Sequence, residues 1–438
     1  MTGRPPLPGG PYLIVGLGRS GIAAGLALAG RRERVIGTDR GQPDVRALGE
    51  IETHLLTDGV DLLGDVRTVV KSPGVPRDAP VVCAARARGL AVVGELELAW
   101  RLLGNDFVAV TGTNGKTTTV ELIGRIHREA ELDVAVAGNV GLALSALLVP
   151  GRLAPAATIV CEASSFQLED TVEFAPDAAV LLNISDDHLD RHGSMDAYRA
   201  AKLEIFARQD AGDVAVAPEG LRIPGGAARR VRFGSGPTAE LGERDGRLWW
   251  GSSDLLGTDE IRLRGHHNRL NAMAAAAVTL ARGVPVDAVR AGLRGFAGVP
   301  HRLEEVAALG GVLYVNDSKA TNVAGTLVAL ASFPPASVHL ILGGQGKGQS
   351  FMPLRSVVAS RCAGVYLIGE DAPSIAAALG DPPARRCGDL ESAVAQAGRA
   401  AGPGQVVLLS PACASFDQFT DFEQRGDRFR ELVGRQAG

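Results

Sequence analysis

The sequence is poor in aromatic residues, which make up 4% of its 438 positions, and its five cysteines, at 83, 161, 362, 387 and 413, form no C-x-x-C pair. That scatter excludes a zinc framework of paired cysteines and a disulfide-stapled scaffold, and fits buried thiols in a reducing compartment. No uncharged apolar run approaches the roughly 18 residues that span a bilayer. The opening residues, MTGRPPLPGGPYLIVGLG, have no cationic start before an apolar core and no cleavage-like site, so the chain reads as cytoplasmic with no membrane span. Neither sign of charge dominates: 45 Lys and Arg face 49 Asp and Glu. With no basic block and no aromatic–basic stripe, no nucleic-acid partner is expected.

What is present is alternation. Short β-branched runs such as YLIVG, RVIGTD, TVVKSPG, FVAVTG, ATIVCE, AAVLLNIS, VHLILGG, GVYLIGE and QVVLLS are apolar on both faces. Helical stretches lie between many of them, for example at 20–30, 117–130, 196–208, 269–283 and 323–332. This predicts an α/β protein built on parallel sheets. The length allows two or three domains. Breaks near LELAWRLLGND and GFAGVPHRLE divide the chain into 1–103, 104–297 and 298–438, each resembling a nucleotide-binding α/β unit. Residues 211–262 read as an irregular, β-like edge of the middle domain and carry no evident chemistry.

Two glycine loops follow strands. In GLGRSG, Gly16, Gly18 and Gly21 fit G-x-G-x-x-G, and Asp39 ends the next strand about 20 residues on, where a ribose-binding acid belongs. By itself this indicates a dinucleotide, NAD among the choices, or a turn that only packs helix on strand. Ser72, Pro73 and Gly74 either line the same crevice or form a plain turn. In VAVTGTNGKTTTVELI, residues 108–123, strand, glycine turn and helix carry Gly-Lys-Thr, yet the early glycine of the usual phosphate loop is replaced by Val110. The residue types still suit phosphate. Backbone N–H groups from Thr111, Gly112, Thr113, Asn114 and Gly115 sit at a helix N-terminus, Lys116 brings a cation, and the Thr117 hydroxyl can ligate Mg2+.

Other clusters fall at further strand ends, the edge that parallel sheets share with such a loop. Glu162 follows one strand; Asp186, Asp187, His188 and Asp190 follow another; Lys202 lies in the next helix. A lone histidine is more often structural, and a helical lysine more often a solvated surface charge. Their conjunction beside a phosphate loop points to a metal–nucleotide site.

TGTNGKTT, CEASSFQLE, NISDDHLDRHG, YRAAKLEIF, HHNRLNAMAAA, GVPHRLE, NDSKATN and SPACASFDQF occur in this order over nearly the whole chain. Together they resemble the Mur ligase family. SSFQLE, DSKATN and SPACASFDQF are similar to the branch that adds D-glutamate, and the family's phosphate loop also lacks the early glycine. The resemblance implies three domains: an N-terminal Rossmann-like domain for the uridine diphosphate sugar, a central P-loop ATPase-like parallel sheet, and a C-terminal Rossmann-like domain that closes over ATP. It implies UDP-sugar contacts at Gly16, Gly18, Arg19, Ser20, Asp39, Arg40, Ser72, Pro73, Gly74, Asn139 and Gln167. ATP contacts fall on Gly112, Thr113, Asn114, Gly115, Lys116, Thr117, Thr118, Asn268, Asn271, Arg302, Asp317 and Lys319. D-glutamate contacts fall on Thr321, Lys347, Ser415 and Phe422. Thr117, Glu162, His188 and Lys202, the last as a CO2-derived carbamate, match ligands of two Mg2+ sites, which Mn2+ could also fill. Lys116, His188 and Lys202 are the implied catalytic residues.

The implied substrates are UDP-N-acetylmuramoyl-L-alanine, D-glutamate and ATP, joined in a monomeric enzyme through an acyl phosphate. One departure is visible. In ILGGQGKGQSF the acids often found beside the family's lysine are absent, and Gln345 and Gln349 stand near Lys347. Three readings remain distinct at this stage: a D-glutamate ligase, a sibling ligase for another amino acid or a folate, and a nucleotide-binding sensor or dehydrogenase without ligation.

Overall fold

A computed structural model describes residues 4–185, 187–263, 265–346, 348–380 and 384–436. The chain divides into two compact units. One comprises Met1–Ile261 with Arg269–Phe296, and the other Arg262–Asn268 with Ala297–Gly438.

The first unit holds two sheets. In the N-terminal one, β1 (Tyr12–Val15), β2 (Val35–Asp39), β3 (Glu52–Leu55), β4 (Thr68–Lys71) and β5 (Ala91–Gly94) are ordered 3-2-1-4-5 and wholly parallel. The chain adds β2 and β3 on one side of β1, then β4 and β5 on the other. The loops after β1 and β4 therefore face each other at the switch point, where open α/β sheets bind ligands.

The second sheet comprises β6 (Phe107–Thr111), β7 (Val134–Gly138), β8 (Thr158–Glu162), β9 (Ala178–Leu181), β10 (Val214–Pro218), β11 (Arg229–Gly234), β12 (Leu241–Arg244), β13 (Arg247–Trp250) and β14 (Ser253–Gly257). Their order is 14-13-12-11-10-9-6-8-7. β6, β8 and β9 are parallel neighbours, so their C-terminal loops share one edge. The core beneath them includes Phe107, Ile159, Leu181 and Phe206. Residues 214–257 do form one edge of this sheet, but its last strands are antiparallel, against the expectation of parallel sheets. The reason lies in the turn. Asp245 and Gly246 have φ of 49° and 71°, the two-residue conformation that closes a hairpin and cannot make a parallel crossover.

The second unit is built on β15 (Glu304–Leu309), β16 (Val312–Asn316), β17 (Val338–Gly343), β18 (Cys362–Ile368), β19 (Arg385–Gly388) and β20 (Val406–Leu409), ordered 15-16-20-17-18-19. All neighbours are parallel except β15 with β16, joined by Gly310 and Gly311 at positive φ. The loops after β16, β17 and β20 thus leave one edge together.

Candidate active site

The phosphate loop leaves β6 and enters helix Lys116–Glu129, capped by Gly115 in the left-handed region at φ 87°. A Cβ at Gly115 would overlap Asn271 Oδ1, so the loop closes against helix His266–Ala281 only with glycine here. Lys116 folds back over the loop, and Nζ donates to the carbonyls of Gly112 at 2.9 Å and Thr113 at 3.0 Å. Thr113 and Asn114 are held by the loop after β9. Their N–H groups donate to Asn183 O at 3.1 Å and Oδ1 at 2.9 Å, and the Thr113 hydroxyl meets Tyr198 OH at 3.1 Å. Asn183 and Tyr198 open the motifs NISDDHLDRHG and YRAAKLEIF but were given no role of their own from the sequence.

Glu162 arrives at the end of β8, buried, because Val110 and Glu162 pair in register across β6 and β8. Its Oε2 accepts from the Thr117 hydroxyl at 2.8 Å, and Oε1 accepts from Asn139 Nδ2 at 3.3 Å. Lys202, in helix Met195–Ala207, is also buried, and Nζ donates to the same Gly112 carbonyl at 2.9 Å. Burial, and then the nearby Lys116 cation, lower its pKa to about 7. Thr117, Glu162, Lys116 and Lys202 are thus gathered around one loop. Thr118 lies buried on the helix beside them.

His188 is more exposed, held at φ 51° with its ring 4.7 Å from Phe166 and Nε2 3.5 Å from Asp187 Oδ2. Asp186 and the side chain of Asp190 lie outside the described residues. Among the described residues no three His, Cys, Asp or Glu cluster as a metal set. Thr117 and Glu162 fit a hard cation by donor type, and a buried amine with a lowered pKa is the form that reacts with CO2.

The sugar-site candidates converge separately. Gly16, Gly18, Arg19, Ser20, Asp39, Ser72, Pro73, Gly74 and Asn139 line one cavity of about 400 Å3, and Arg40 lines an adjoining one of about 190 Å3. Asp39 shapes the glycine loop: Oδ2 accepts from Leu17 N–H and Oδ1 from Gly41 N–H, both at 2.7 Å. The Ser72 hydroxyl donates to Gly16 O at 2.6 Å and ties the two loops together. Gln167 does not line that cavity. It is buried in a capping box with Ser164, and its Nε2 has no hydrogen-bond acceptor among the described residues.

In the second unit, Asp317 follows β16 and is buried. Its Oδ2 accepts from Ser410 Oγ at 2.8 Å and Oδ1 from Leu303 N–H at 3.1 Å; burial raises its pKa to about 7 despite Arg302 nearby. Lys319 Nζ lies 5.7 Å from the Phe422 ring centroid. Thr321 follows in the same loop, and Ser415 is buried in the loop after β20. Arg425, not foreseen, is buried and donates to Ser318 Oγ and O, both at 2.9 Å, and to Cys413 O at 3.1 Å, joining those two loops. Asn268 is buried at the start of its helix. Lys347 lies outside the described residues.

Parallel-rich sheets, a strand–glycine loop–lysine helix and oxygen donors at the strand ends define a nucleotide-dependent α/β enzyme. Residues 110–279 match the Mur ligase middle domain, and residues 301–413 match the Mur ligase, glutamate ligase domain. The UDP-N-acetylmuramoylalanine–D-glutamate ligase of Anaeromyxobacter dehalogenans is 45% identical over 99% of both chains. That of Acidobacterium capsulatum is 42% identical over 99% of this chain and 98% of its own. Among solved structures, the UDP-N-acetylmuramate–alanine ligase MurC of Thermotoga maritima shares the fold at TM-score 0.61 and 18% identity, covering 97% of this chain and 99% of its own. The MurF ligase of the same organism, in complex with ADP, does so at 0.60 and 19%, covering 98% and 96%. The chain belongs to the Mur ligase family and is a ligase.

Proposed function

We propose that the enzyme joins D-glutamate to UDP-N-acetylmuramoyl-L-alanine with ATP, giving ADP and phosphate, in the cytoplasmic synthesis of peptidoglycan precursors. The observation that carries this is the convergence of Lys116 and Lys202 on the Gly112 carbonyl of the phosphate loop, whose helix bonds Glu162 through Thr117, in a chain 45% identical over its length to a relative named for that reaction. In this reading residues 1–103 form a Rossmann-like domain for the UDP-sugar, and 104–297 a P-loop domain for ATP. Residues 298–438 form a Rossmann-like domain for D-glutamate, with Arg302, Asp317 and Lys319 on ATP and Thr321, Lys347, Ser415 and Phe422 on the amino acid. The enzyme acts as a monomer.

A carboxylate and an amine do not condense unaided in water, so the carboxylate is first activated. The L-alanyl carboxylate oxygen attacks the γ-phosphorus, the bond to the β-phosphate oxygen breaks, and an acyl phosphate and ADP result. Both reactants are anions, and Lys116 with the helix N-terminus behind it offsets their repulsion. The D-glutamate amine then attacks the acyl carbon, loses a proton, and phosphate leaves. Mg2+, held by Thr117, Glu162, His188 and the Lys202 carbamate, would supply charge neutralisation when bound. Positioning does most of the rest. If the alanyl carboxylate is labelled with 18O, one label should appear in the released phosphate. Phosphate free of label would contradict the acyl phosphate.

A further inference from the structure

The loop Ser72–Val75, which lines the sugar cavity, is gripped by two cations, Lys71 from its own strand and Arg191 from beyond β9, each paired with an acid that follows β8. Lys71 is fully buried at the end of β4. Its Nζ lies 2.6 Å from Asp170 Oδ2 and donates to Val75 O at 2.6 Å. Arg191 donates to Val75 O at 3.1 Å, approaches Gly74 O at 3.4 Å, and pairs with Glu169 Oε1 at 2.9 Å. Glu169 and Asp170 close the short helix that begins at Ser165 and contains Gln167. Two adjacent acids on one element therefore hold two cations, and both cations hold carbonyls of the sugar-cavity loop.

Stability alone does not account for the Lys71–Asp170 pair. Desolvating both charges offsets much of their attraction, and a well-packed apolar pair of similar volume is often as stable. The pair is close, with Nζ 2.6 Å from Oδ2, while Oδ1 is 3.9 Å from the more exposed Arg77 Nε. What an apolar pair cannot do is hold Val75 O in a fixed direction. We infer that Lys71–Asp170 and Arg191–Glu169 are positioning pairs that fix the spacing between the Ser72–Val75 loop and Gln167. They thereby set the distance between two segments that the proposed UDP-sugar would touch. This rests on the substrate proposed above.

The test compares wild type with K71M/D170L, which removes both charges and keeps the volume, and with R191K, which keeps the charge but loses the fork that reaches both carbonyls and Glu169. Each is assayed by ATP-derived phosphate release across UDP-N-acetylmuramoyl-L-alanine and ATP concentrations, alongside its melting temperature. The expected result is that K71M/D170L melts near wild type, while its KM for the UDP-sugar rises about tenfold or more and its KM for ATP stays put. R191K should shift the same constant in the same direction. An unchanged KM for the UDP-sugar in a folded K71M/D170L overturns the inference. Should that variant not fold, an unchanged KM in R191K overturns it instead. Wild type that releases no phosphate in response to the UDP-sugar would fail the proposed function and not the positioning pairs.

Discussion

Burial sets the chemistry of Lys202. Its amine is pushed down to about pKa 7 by desolvation and by the Lys116 cation, so a substantial neutral fraction exists at neutral pH. Only the neutral amine combines with CO2, and the proposed carbamate would turn that amine into an anionic oxygen donor at the phosphate loop. Lys202→Ala should abolish turnover, and short carboxylates such as acetate or formate should restore part of it by supplying the missing oxygens. Steady-state rates with and without acetate check this; no rescue would count against the carbamate. Asp317 gives a second test, on stability. Its carboxyl titrates near 7 in the fold against an ordinary 3.8. Between those values the folded protein keeps a proton that the unfolded chain has lost, so stability falls as pH rises from about 4 to 7 and is flat above. Melting curves of Asp317→Asn at pH 5 and pH 8 should show a smaller loss over that range than wild type. Residues like these were legible in part. Lys202 and Asp317 were found through the motifs around them; Asn183 and Tyr198 lie inside such motifs without an assigned role, and Arg425 supports its loops from a position outside any motif.

At the scale of elements, the glycine loops are the parts most fully dictated by sequence. Gly16 has φ 87°, and a Cβ at Gly21 would collide with the Gly16 carbonyl where the helix Arg19–Gly30 packs on β1. Gly21→Ala should therefore force the helix off the strand and open the sugar cavity. A drop of several degrees in melting temperature and a raised KM for the UDP-sugar are expected, with the KM for ATP unaffected; a variant with wild-type UDP-sugar KM would contradict this. Strands at 12, 35, 68, 107, 158, 178, 338 and 406 stood out because buried parallel strands are continuous apolar runs. β3, with the sequence ETHL and partial exposure, and β19, RRCG at a sheet edge, were missed for the opposite reason. The antiparallel end of the second sheet was signalled by Asp245–Gly246, a turn cue that the alternation of strands and helices elsewhere obscured. Helix Glu95–Leu102 read only as a boundary. It in fact buries two acids: Glu97 accepts from the N–H groups of Val172 and Phe174 at 3.0 Å, and Glu95 from Ser145 N–H at 2.7 Å. Charged residues in a boundary helix look solvated until the loops they cap are known.

Across the whole molecule, the sequence carried the family and the order of its motifs further than it carried their spatial grouping. Nine of the sugar-site candidates share one cavity, whereas Gln167 stands apart from it in a capping box. Among the described residues no helix is long and apolar enough to cross a membrane. The most direct test of the central claim is phosphate release from ATP in the presence of UDP-N-acetylmuramoyl-L-alanine, comparing D-glutamate, L-glutamate and no amino acid. The account predicts release that requires both the UDP-sugar and D-glutamate. Release with another amino acid in preference to D-glutamate, or tight UDP-sugar binding with no release at all, would contradict it.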